Sequence, residues 1–210
     1  MFTFFRSNRE KLVKLTDKKR KDILQAAIQE FREQGFPAAR VNRIAELAEV
    51  SKRTLYKHFE SKEVLFAAIT DILLEQIAAS PKLSYDPGKP LREQLIAAVR
   101  DYIDYLSGEH YMGLNRLVMS ELLRDQKLAQ AFFSKAEMQD GPIQTLIGEA
   151  MQAGALRQAE PGFAAGQLLS MIKHFLMWPE FLLGKKADVD AEAVMADCVD
   201  MFLAHYRAGA

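Results

Sequence analysis

The 210-residue chain contains few of the residues that cross-link small folds or interrupt helices. Its single cysteine, Cys198, cannot form an internal disulfide, so no oxidising compartment is implied. Its 11 glycines and 7 prolines lie mostly at the ends of long uninterrupted segments, which favours helix over strand. No stretch alternates with period two for long enough to predict a strand. These absences predict an all-α fold.

Long apolar runs are also missing. Charged residues interrupt the first residues early, which excludes a signal peptide there. The most apolar later stretch, residues 163–183, contains Lys173, His174 and Glu180, which argues against a membrane span. We therefore expect a cytoplasmic protein that does not contact a membrane.

The net charge is zero, but the charges are unevenly distributed. Residues 1–63 carry 15 basic and 9 acidic side chains, and the remainder carries 13 and 19. A cationic first part suits a polyanion, because each neutralised phosphate releases condensed counterions. Chance clustering on solvated helix faces explains the same asymmetry, and charge alone leaves both readings open.

Apolar spacing, caps and breaks divide the chain into nine predicted helices. Asp17 and Ser51 are predicted N-caps of the first and third helices, and Gly35 a left-handed C-cap of the first. The predicted helices are 17–34, 42–49, 52–59, 61–79, 91–107, 111–124, 126–153, 161–183 and 188–207.

Residues 41–59, VNRIAELAEVSKRTLYKHF, have the properties of two short helices joined by a tight turn. Ala45 and Ala48 allow the two helices to cross closely, and Ser51 caps the second. The outward positions of the second helix carry the side chains Lys52, Arg53, Thr54, Tyr56, Lys57 and His58. A short helix with so many donors is suited to a DNA groove.

The donors differ in what they are expected to contact. Arg53 is suited to reading guanine with two hydrogen bonds, and Lys57 and His58 to a base or a phosphate. Thr54 and Tyr56 are suited to phosphate oxygens. Any one of them alone is more often a solvated surface side chain, so the prediction depends on the order of the whole stretch.

Residues 35–66 resemble the N-terminal domain of the TetR family of bacterial transcriptional regulators. The matching residues are Gly35, Phe36, Ile44, Ala45, Ala48, Val50, Ser51, Thr54, Leu55, Tyr56, Phe59, Ser61, Lys62 and Glu63. The resemblance implies an N-terminal three-helix helix-turn-helix domain, a larger C-terminal helical domain for ligand binding and dimerisation, and a symmetric dimer. The implied divisions are a basic arm at 1–16, the DNA-binding domain at 17–63, a linking helix at 61–79, and the ligand-binding and dimerisation domain at 64–210.

The resemblance also implies that Tyr56 and Lys62 contact phosphates. Two departures from the family pattern affect the contacts. Glu49 stands where the family usually has Gly, so it must accept a strained or altered turn. Ala39 and Arg40 stand where the family usually has Ser or Thr, and Arg40 or Asn42 is expected to substitute. The predicted DNA-binding residues are Arg40, Asn42, Arg43, Lys52, Arg53, Thr54, Tyr56, Lys57, His58 and Lys62.

The resemblance further implies a small-molecule pocket in residues 91–183, which are rich in aromatic residues and methionines. The stretch 115–133 resembles the C-terminal domain of AefR-like members. Each residue taken alone is more often an ordinary core residue. The predicted pocket residues are Tyr102, Tyr105, Asn115, Arg116, Met119, Phe132, Phe133, His174, Phe175 and Trp178.

The last two predicted helices are apolar on more than one face, which predicts a four-helix interface with a second copy. A thick monomer core is the alternative. The predicted interface residues are Leu168, Leu169, Ile172, Phe175, Leu176, Val194, Cys198, Met201 and Phe202.

An all-helical enzyme is the rival class. The four histidines lie far apart and form no metal-ligand spacing, and there is no phosphate-binding glycine loop, so no metal or cofactor is expected. A ligand-independent DNA-binding protein would not need the large second domain. The sequence therefore predicts a repressor that binds double-stranded operator DNA as a homodimer and is released by an unknown small molecule. A ligand-independent regulator and an activator remain alternatives.

Overall fold

The computed structural model describes the backbone of residues 2–78, 83–137 and 141–209, and the side chains of 17–75, 83–109, 111–136 and 141–209. Apart from one antiparallel bridge between Leu156 and Arg207, these ranges contain no strand pairing, which confirms the all-α prediction. Their helices are α1 (Phe2–Gln34), α2 (Val41–Leu47), α3 (Lys52–His58), α4 (Lys62–Ala78), α5 (Leu91–Leu106), α6 (Glu109–Leu122), α7 (Gln126–Glu137), α8 (Pro142–Gln152), α9 (Pro161–Leu176), α10 (Trp178–Leu183) and α11 (Ala191–Tyr206).

One compact unit comprises the chain up to Leu73 together with Gly113–Phe132. In it α2 packs on α1 and α3. Its core contains an aromatic cluster in which the rings of Phe31, Phe36 and Phe66 lie 4.9–5.7 Å apart. Burial of Phe31 and Phe66, which are 1% and 2% exposed, contributes about 1.5–3 kcal/mol for each side chain. This core holds the short helices α2 and α3, which are too short to be stable alone.

Helix α6 approaches α1 closely within the same unit. A β-carbon at Gly113 would lie 3.0 Å from the guanidinium carbon of Arg32. The absence of a side chain at Gly113 therefore lets the Arg32 guanidinium lie against the backbone of α6.

The second unit comprises Leu74–Met112 and the chain from Phe133 onwards. Its helix pairs are α8 with α9, α5 with α11, and α9 with α11. The side chains of Leu95, Val99, Ile147, Leu168 and Val199 are completely buried in its core.

Two ion pairs join α5 to α11 on the surface of this unit. Arg92 donates to both carboxylate oxygens of Asp200 at 2.6 and 2.8 Å, and Arg100 likewise to Glu192 at 2.8 and 2.5 Å. The two arginines and their two partners are each eight residues apart, so the pairs fix the register of two antiparallel helices.

The first helix differs from the prediction. Asp17 was predicted as its N-cap, but it lies inside α1, which begins at Phe2. Residues 2–16 contain neither glycine nor proline, so nothing in the chain stops the helix from continuing towards the N-terminus. Side chains of the predicted basic arm lie outside the described residues. The predicted C-cap is confirmed, because Gly35 has a φ of 75° and its N–H donates to the Phe31 carbonyl.

Two predicted long helices are each divided in two. The segment 126–153 separates into α7 and α8, where Gly141 precedes the N-terminal Pro142 of α8. The segment 161–183 breaks at Met177, just before Pro179 in the first turn of α10. Proline supplies no N–H to the preceding turn, so a helix tends to begin near it rather than pass through it. The last helix begins at Ala191 instead of 188, because the Asp190 carboxylate caps it.

None of the described helices combines the length and the apolar character that crossing a bilayer requires.

Candidate nucleic-acid interface

Helix α3 is held by its apolar side. Leu55 and Phe59 are each 1% exposed and Ile44 of α2 is fully buried. The Ser51 hydroxyl accepts the Thr54 N–H at 3.1 Å, which confirms the predicted N-cap. These contacts fix one face of α3 inside the unit and leave the opposite face in solvent.

The turn between α2 and α3 is strained at Glu49. Its φ is 52°, in the left-handed region, where a side chain costs roughly 1–2 kcal/mol. The Val50 N–H donates to the Ala45 carbonyl and the Glu49 N–H to the Glu46 carbonyl, the pair of bonds that closes a helix in a Schellman motif. The expectation of a strained turn at this non-glycine residue is confirmed.

The outward face of α3 carries exposed donors. Lys52, Arg53, Tyr56 and Lys57 are all exposed, and Tyr56 is 41% accessible. Among the described residues, none of the three cations forms an ion pair with a carboxylate. The Lys52 ammonium lies 5.9 Å from the Tyr56 ring centre. This face is therefore available to a polyanion.

Two cations of α1 join this face, and the sequence analysis did not identify them. The Arg20 guanidinium lies 4.9 Å from the ring centre of Phe59. Lys19 and Arg20 are also close enough to His58 to lower the pKa of its imidazole, after burial and Lys57 as the larger causes. The run of cations at 18–21 was the available signal, but only the folded chain shows which of them face α3.

The start of α2 is stabilised in an unexpected way. Arg40 occupies the N-cap position without a side-chain cap bond, and the exposed Asn42 lies inside the helix, so neither side chain caps α2 in place of the family's Ser or Thr. Instead, the buried Glu30 of α1 accepts the Arg40 N–H at 3.1 Å. The Arg40 side chain stays exposed, whereas Arg43 is bonded to Glu46 at 3.3 Å.

Lys62 has its donors directed at the protein. Its ammonium lies 2.7 Å from the Phe36 carbonyl, 3.1 Å from that of Pro37 and 3.4 Å from that of Ala39. It also lies 4.6 Å from the centre of the Phe36 ring. In this arrangement Lys62 fixes the connection between α1 and α2, and its predicted contact with a phosphate stays a prediction.

The predicted pocket residues are in different environments. In the second unit, Tyr102 and Tyr105 are partly buried, whereas His174, Phe175 and Trp178 are exposed on α9 and α10. In the first unit, Asn115 and Phe132 are each 5% exposed, Met119 is partly buried and Arg116 is exposed. Phe133 is 52% exposed. A surface depression of about 290 Å³ beside α5 is lined by none of them.

The predicted interface residues also divide into two groups. Five of the nine lie in the core of their own unit: Leu168, Ile172, Leu176, Cys198 and Phe202. Leu169 and Val194 are partly exposed, Phe175 is 45% exposed and Met201 63%. The most apolar face of each of these helices is buried within its own unit.

Two families of known proteins match the chain. Residues 23–69 match the family described as bacterial regulatory proteins, tetR family. Residues 93–208 match the family described as AefR-like transcriptional repressor, C-terminal domain.

Individual relatives are similar over most of the chain. A TetR family transcriptional regulator from Pseudomonas syringae has a solved structure that is 33% identical, with a TM-score of 0.74, covering 90% of this chain and 96% of that one. The flavonoid-responsive regulator FrrA is 28% identical, with a TM-score of 0.76, covering 92% and 100%. The HTH-type transcriptional repressor NicS of Pseudomonas putida is 30% identical over 161 residues, 75% of this chain and 67% of NicS.

Proposed function

The chain belongs to the TetR family, as a DNA-binding transcriptional regulator with an AefR-like C-terminal domain, and on this premise we propose that α3 reads operator DNA and that a small molecule releases the protein from it. The observation that carries the DNA-reading part of the proposal is the outward face of α3. Lys52, Arg53 and Lys57 are exposed there without carboxylate partners among the described residues. The predicted roles are base reading by Arg53 and phosphate contact by Tyr56.

A second copy of the chain would provide the second half of the reading surface. Two recognition helices must lie about one DNA turn apart, ~34 Å, to enter successive major grooves. An effector that binds better to a state with a different spacing shifts the population away from DNA. Coupling of this kind is typically ~1–3 kcal/mol, or a change of about 5- to 150-fold in affinity.

The second unit offers a surface for dimerisation. Most of the exposed large apolar side chains among the described residues belong to the part of the chain that runs from α9 to α11. They are Phe163, Phe175, Trp178, Leu182, Leu183, Val189 and Met201. Exposed apolar side chains in this number are typical of a region that contacts a partner. Small exposed residues, Gly166 and Ser170 on α9 and Ala193 and Ala204 on α11, would let helices of a partner approach closely. We assign this surface to a second copy because regulators of this family act as dimers.

The relatives support an organic effector. FrrA is described as flavonoid-responsive and NicS as a transcriptional repressor. We therefore expect this protein to repress transcription in the absence of its effector. If the protein were an activator instead, deletion of its gene would lower expression from the regulated promoter. The rival class, an all-helical enzyme, is disfavoured because the matched families and relatives are regulators.

Fluorescence anisotropy with a labelled duplex from upstream of the protein's own gene tests DNA binding. The expected affinity falls steeply with salt, because phosphate contacts release counterions. Arg53→Ala should reduce the preference for the operator over random duplex, by about 1–3 kcal/mol. Tyr56→Ala should weaken binding to both duplexes alike.

A matched control removes a cation of the second unit. Lys186→Ala, in the exposed connection before α11, should leave both affinities unchanged. Binding that is insensitive to salt, or an equal effect of Arg53→Ala and Lys186→Ala, would contradict the assignment of α3.

A further inference from the structure

Three tyrosines of the second unit form a cluster, Tyr102 and Tyr105 on α5 and Tyr111 on α6. The rings of Tyr105 and Tyr111 lie 5.1 Å apart at an angle of 54°. Tyr111 is 7% exposed, and Ile103, Leu106 and Met112 beside these residues in the chain are buried. Burial raises the pKa of Tyr102 to about 12 and raises the pKa of Tyr105 and Tyr111 as well. The neighbouring phenols raise the pKa of Tyr111 further, so the three rings share one weakly polar environment.

Tyr111 is buried, and Tyr102 and Tyr105 are partly buried. Among the described residues, none of the three hydroxyl groups donates or accepts a hydrogen bond. Tyr206 shows the usual arrangement, because its hydroxyl donates to Gln167 at 2.5 Å. A hydroxyl buried without a partner destabilises the fold. Such groups are rare in native proteins unless water or a ligand satisfies them.

The surroundings of the three tyrosines also determine whether a ligand bound against them can carry a charge. Burial is the first cause of each of the three pKa shifts, and at Tyr111 the two neighbouring phenols add to it. Among the described residues, no ion pair brings a charged side chain to these tyrosines. An ionised guest at this place would be buried without a counter-charge, which is strongly unfavourable. A neutral guest with oxygen acceptors would satisfy the three donors, and an aromatic guest could stack on the tilted rings.

We infer that Tyr102, Tyr105 and Tyr111 form the recognition end of the effector site, and that the effector is an uncharged aromatic compound that presents carbonyl or phenolic oxygens to the three hydroxyls. This inference rests on the proposed effector control. It names the chemistry of the effector, which that proposal leaves open.

The unliganded protein gives the first test. Tyr111→Phe and Tyr102→Phe keep the rings and remove the hydroxyls, so the melting temperature should rise or stay unchanged. Tyr206→Phe, the matched control, leaves Gln167 without its donor and should lower the melting temperature by about 2–4 °C. If the two cluster variants lose as much stability as the control, the hydroxyls have structural partners and the inference is wrong.

Binding of defined probes to the full-length protein gives the second test. Isothermal titration with flavone, an uncharged aromatic ketone, should show binding that each Tyr→Phe change weakens about fivefold, the worth of one neutral hydrogen bond. Flavan, which lacks the carbonyl group, and 3-methylflavone-8-carboxylate, which carries a charge, should bind more weakly than flavone.

The outcomes separate this inference from the proposal on which it rests. No binding of flavone, equal binding by the phenylalanine variants, or a preference for the carboxylate would each overturn the inference while salt-sensitive operator binding persisted. Loss of operator binding in the unmodified protein would instead contradict the proposed function. Release of operator DNA by flavone from the wild type, with a fivefold higher flavone requirement in Tyr111→Phe, would support both.

Discussion

At the scale of single residues, Glu49 is the position where the chain departs most clearly from an unstrained backbone. It ends α2 in the left-handed conformation, with the two hydrogen bonds of a Schellman motif already made. Glycine enters this conformation at no steric cost, whereas a β-carbon crowds the following carbonyl. The strain lies directly before α3, and the exposed carboxylate adds a negative charge beside the proposed DNA-binding face.

Replacing Glu49 by Gly should therefore stabilise the protein. The expected gain is up to about 1 kcal/mol in the free energy of unfolding, because relief of strain exceeds the added flexibility of the unfolded chain. Urea denaturation measures it. Glu49→Gln separates the two effects, since it removes the charge and keeps the strain: it should raise DNA affinity without raising stability. A stability gain for the Gln variant equal to that for Gly would show that charge, not backbone geometry, is responsible.

His58 should make DNA binding dependent on pH. Its pKa is lowered from the usual 6.5 by burial and by Lys57, Arg20 and Lys19, so the imidazole is neutral at pH 7. A nearby phosphate favours the protonated form, so binding takes up a proton and affinity should rise as the pH falls from 8 towards 5.5. His58→Gln should flatten this rise in anisotropy titrations, and an unchanged slope would place His58 away from the phosphates.

The lowered pKa of His58 has the opposite effect on folding: it makes stability fall, where DNA affinity rises, as the pH falls. The unfolded imidazole binds a proton more readily than the folded one, so the contribution of His58 to stability is complete above pH 6.5. It is lost as the pH falls through the lowered folded value.

Residue-level prediction succeeded where a local rule decides the conformation. The cap at Ser51, the glycine at Gly35 and the strain at Glu49 each follow from one side chain and its immediate neighbours. Glu30 and Lys62 were different, because their partners are 10 and 23–26 residues away. Spacing along the chain does not show that a buried carboxylate caps another helix, or that an ammonium ends on three carbonyl oxygens.

At the scale of whole helices, the points where one helix ends and the next begins were harder to predict than the helices themselves. Every predicted helix overlaps a helix of the described residues, but a proline in the first turn can begin a helix or interrupt one. The predicted helices 126–153 and 161–183 therefore continue through the breaks that the structure has before Pro142 and Pro179. The predicted interface stays a prediction: helices α9 and α11 each bury their most apolar face within their own unit, and other apolar side chains of these helices stay exposed.

The pairing of α5 with α11 should weaken in acid. The arginines Arg92 and Arg100 lower the pKa of Asp200 and Glu192 from the usual 3.8 and 4.5. Because the folded values are the lower ones, the stabilising contribution is present above these usual values and is lost as the pH falls through the folded values. Melting temperatures measured from pH 6 to 3 should fall less in Arg100→Gln than in the wild type. Equal slopes would show that the pairs contribute nothing measurable, as many exposed pairs do not.

At the scale of the whole molecule, two-fold symmetry decides which exposed surface can form the proposed dimer interface. A two-fold dimer brings the same apolar surface of each copy together. Met201 is 63% exposed on α11 and Phe163 64% exposed on α9, so both would become buried only in the dimer. Sequence reasoning predicted the presence of a dimer surface from the excess of apolar residues, but only the burial of each residue shows which of them remain for a partner.

Met201→Arg should convert the protein to a monomer at micromolar concentration, measured by light scattering, because a charge would be buried without a partner. Leu123→Arg is the matched control, since Leu123 is 88% exposed and lies outside α9–α11. Operator affinity should fall in Met201→Arg, which loses the second half-site contact, and stay unchanged in the control. A dimeric Met201→Arg protein would refute the proposed interface.

The enclosure of Lys62 has a chemical consequence. Its ammonium group lies within hydrogen-bond distance of three backbone oxygens and 4.6 Å from the centre of the Phe36 ring. These contacts should slow its reaction with an acylating reagent such as acetic anhydride, and opening of the 36–39 segment should speed it, whereas Lys52 and Lys57 are exposed to solvent. Peptide mass mapping over time should find Lys62 labelled last of the three, and its labelling rate would then report how often the first two helices part.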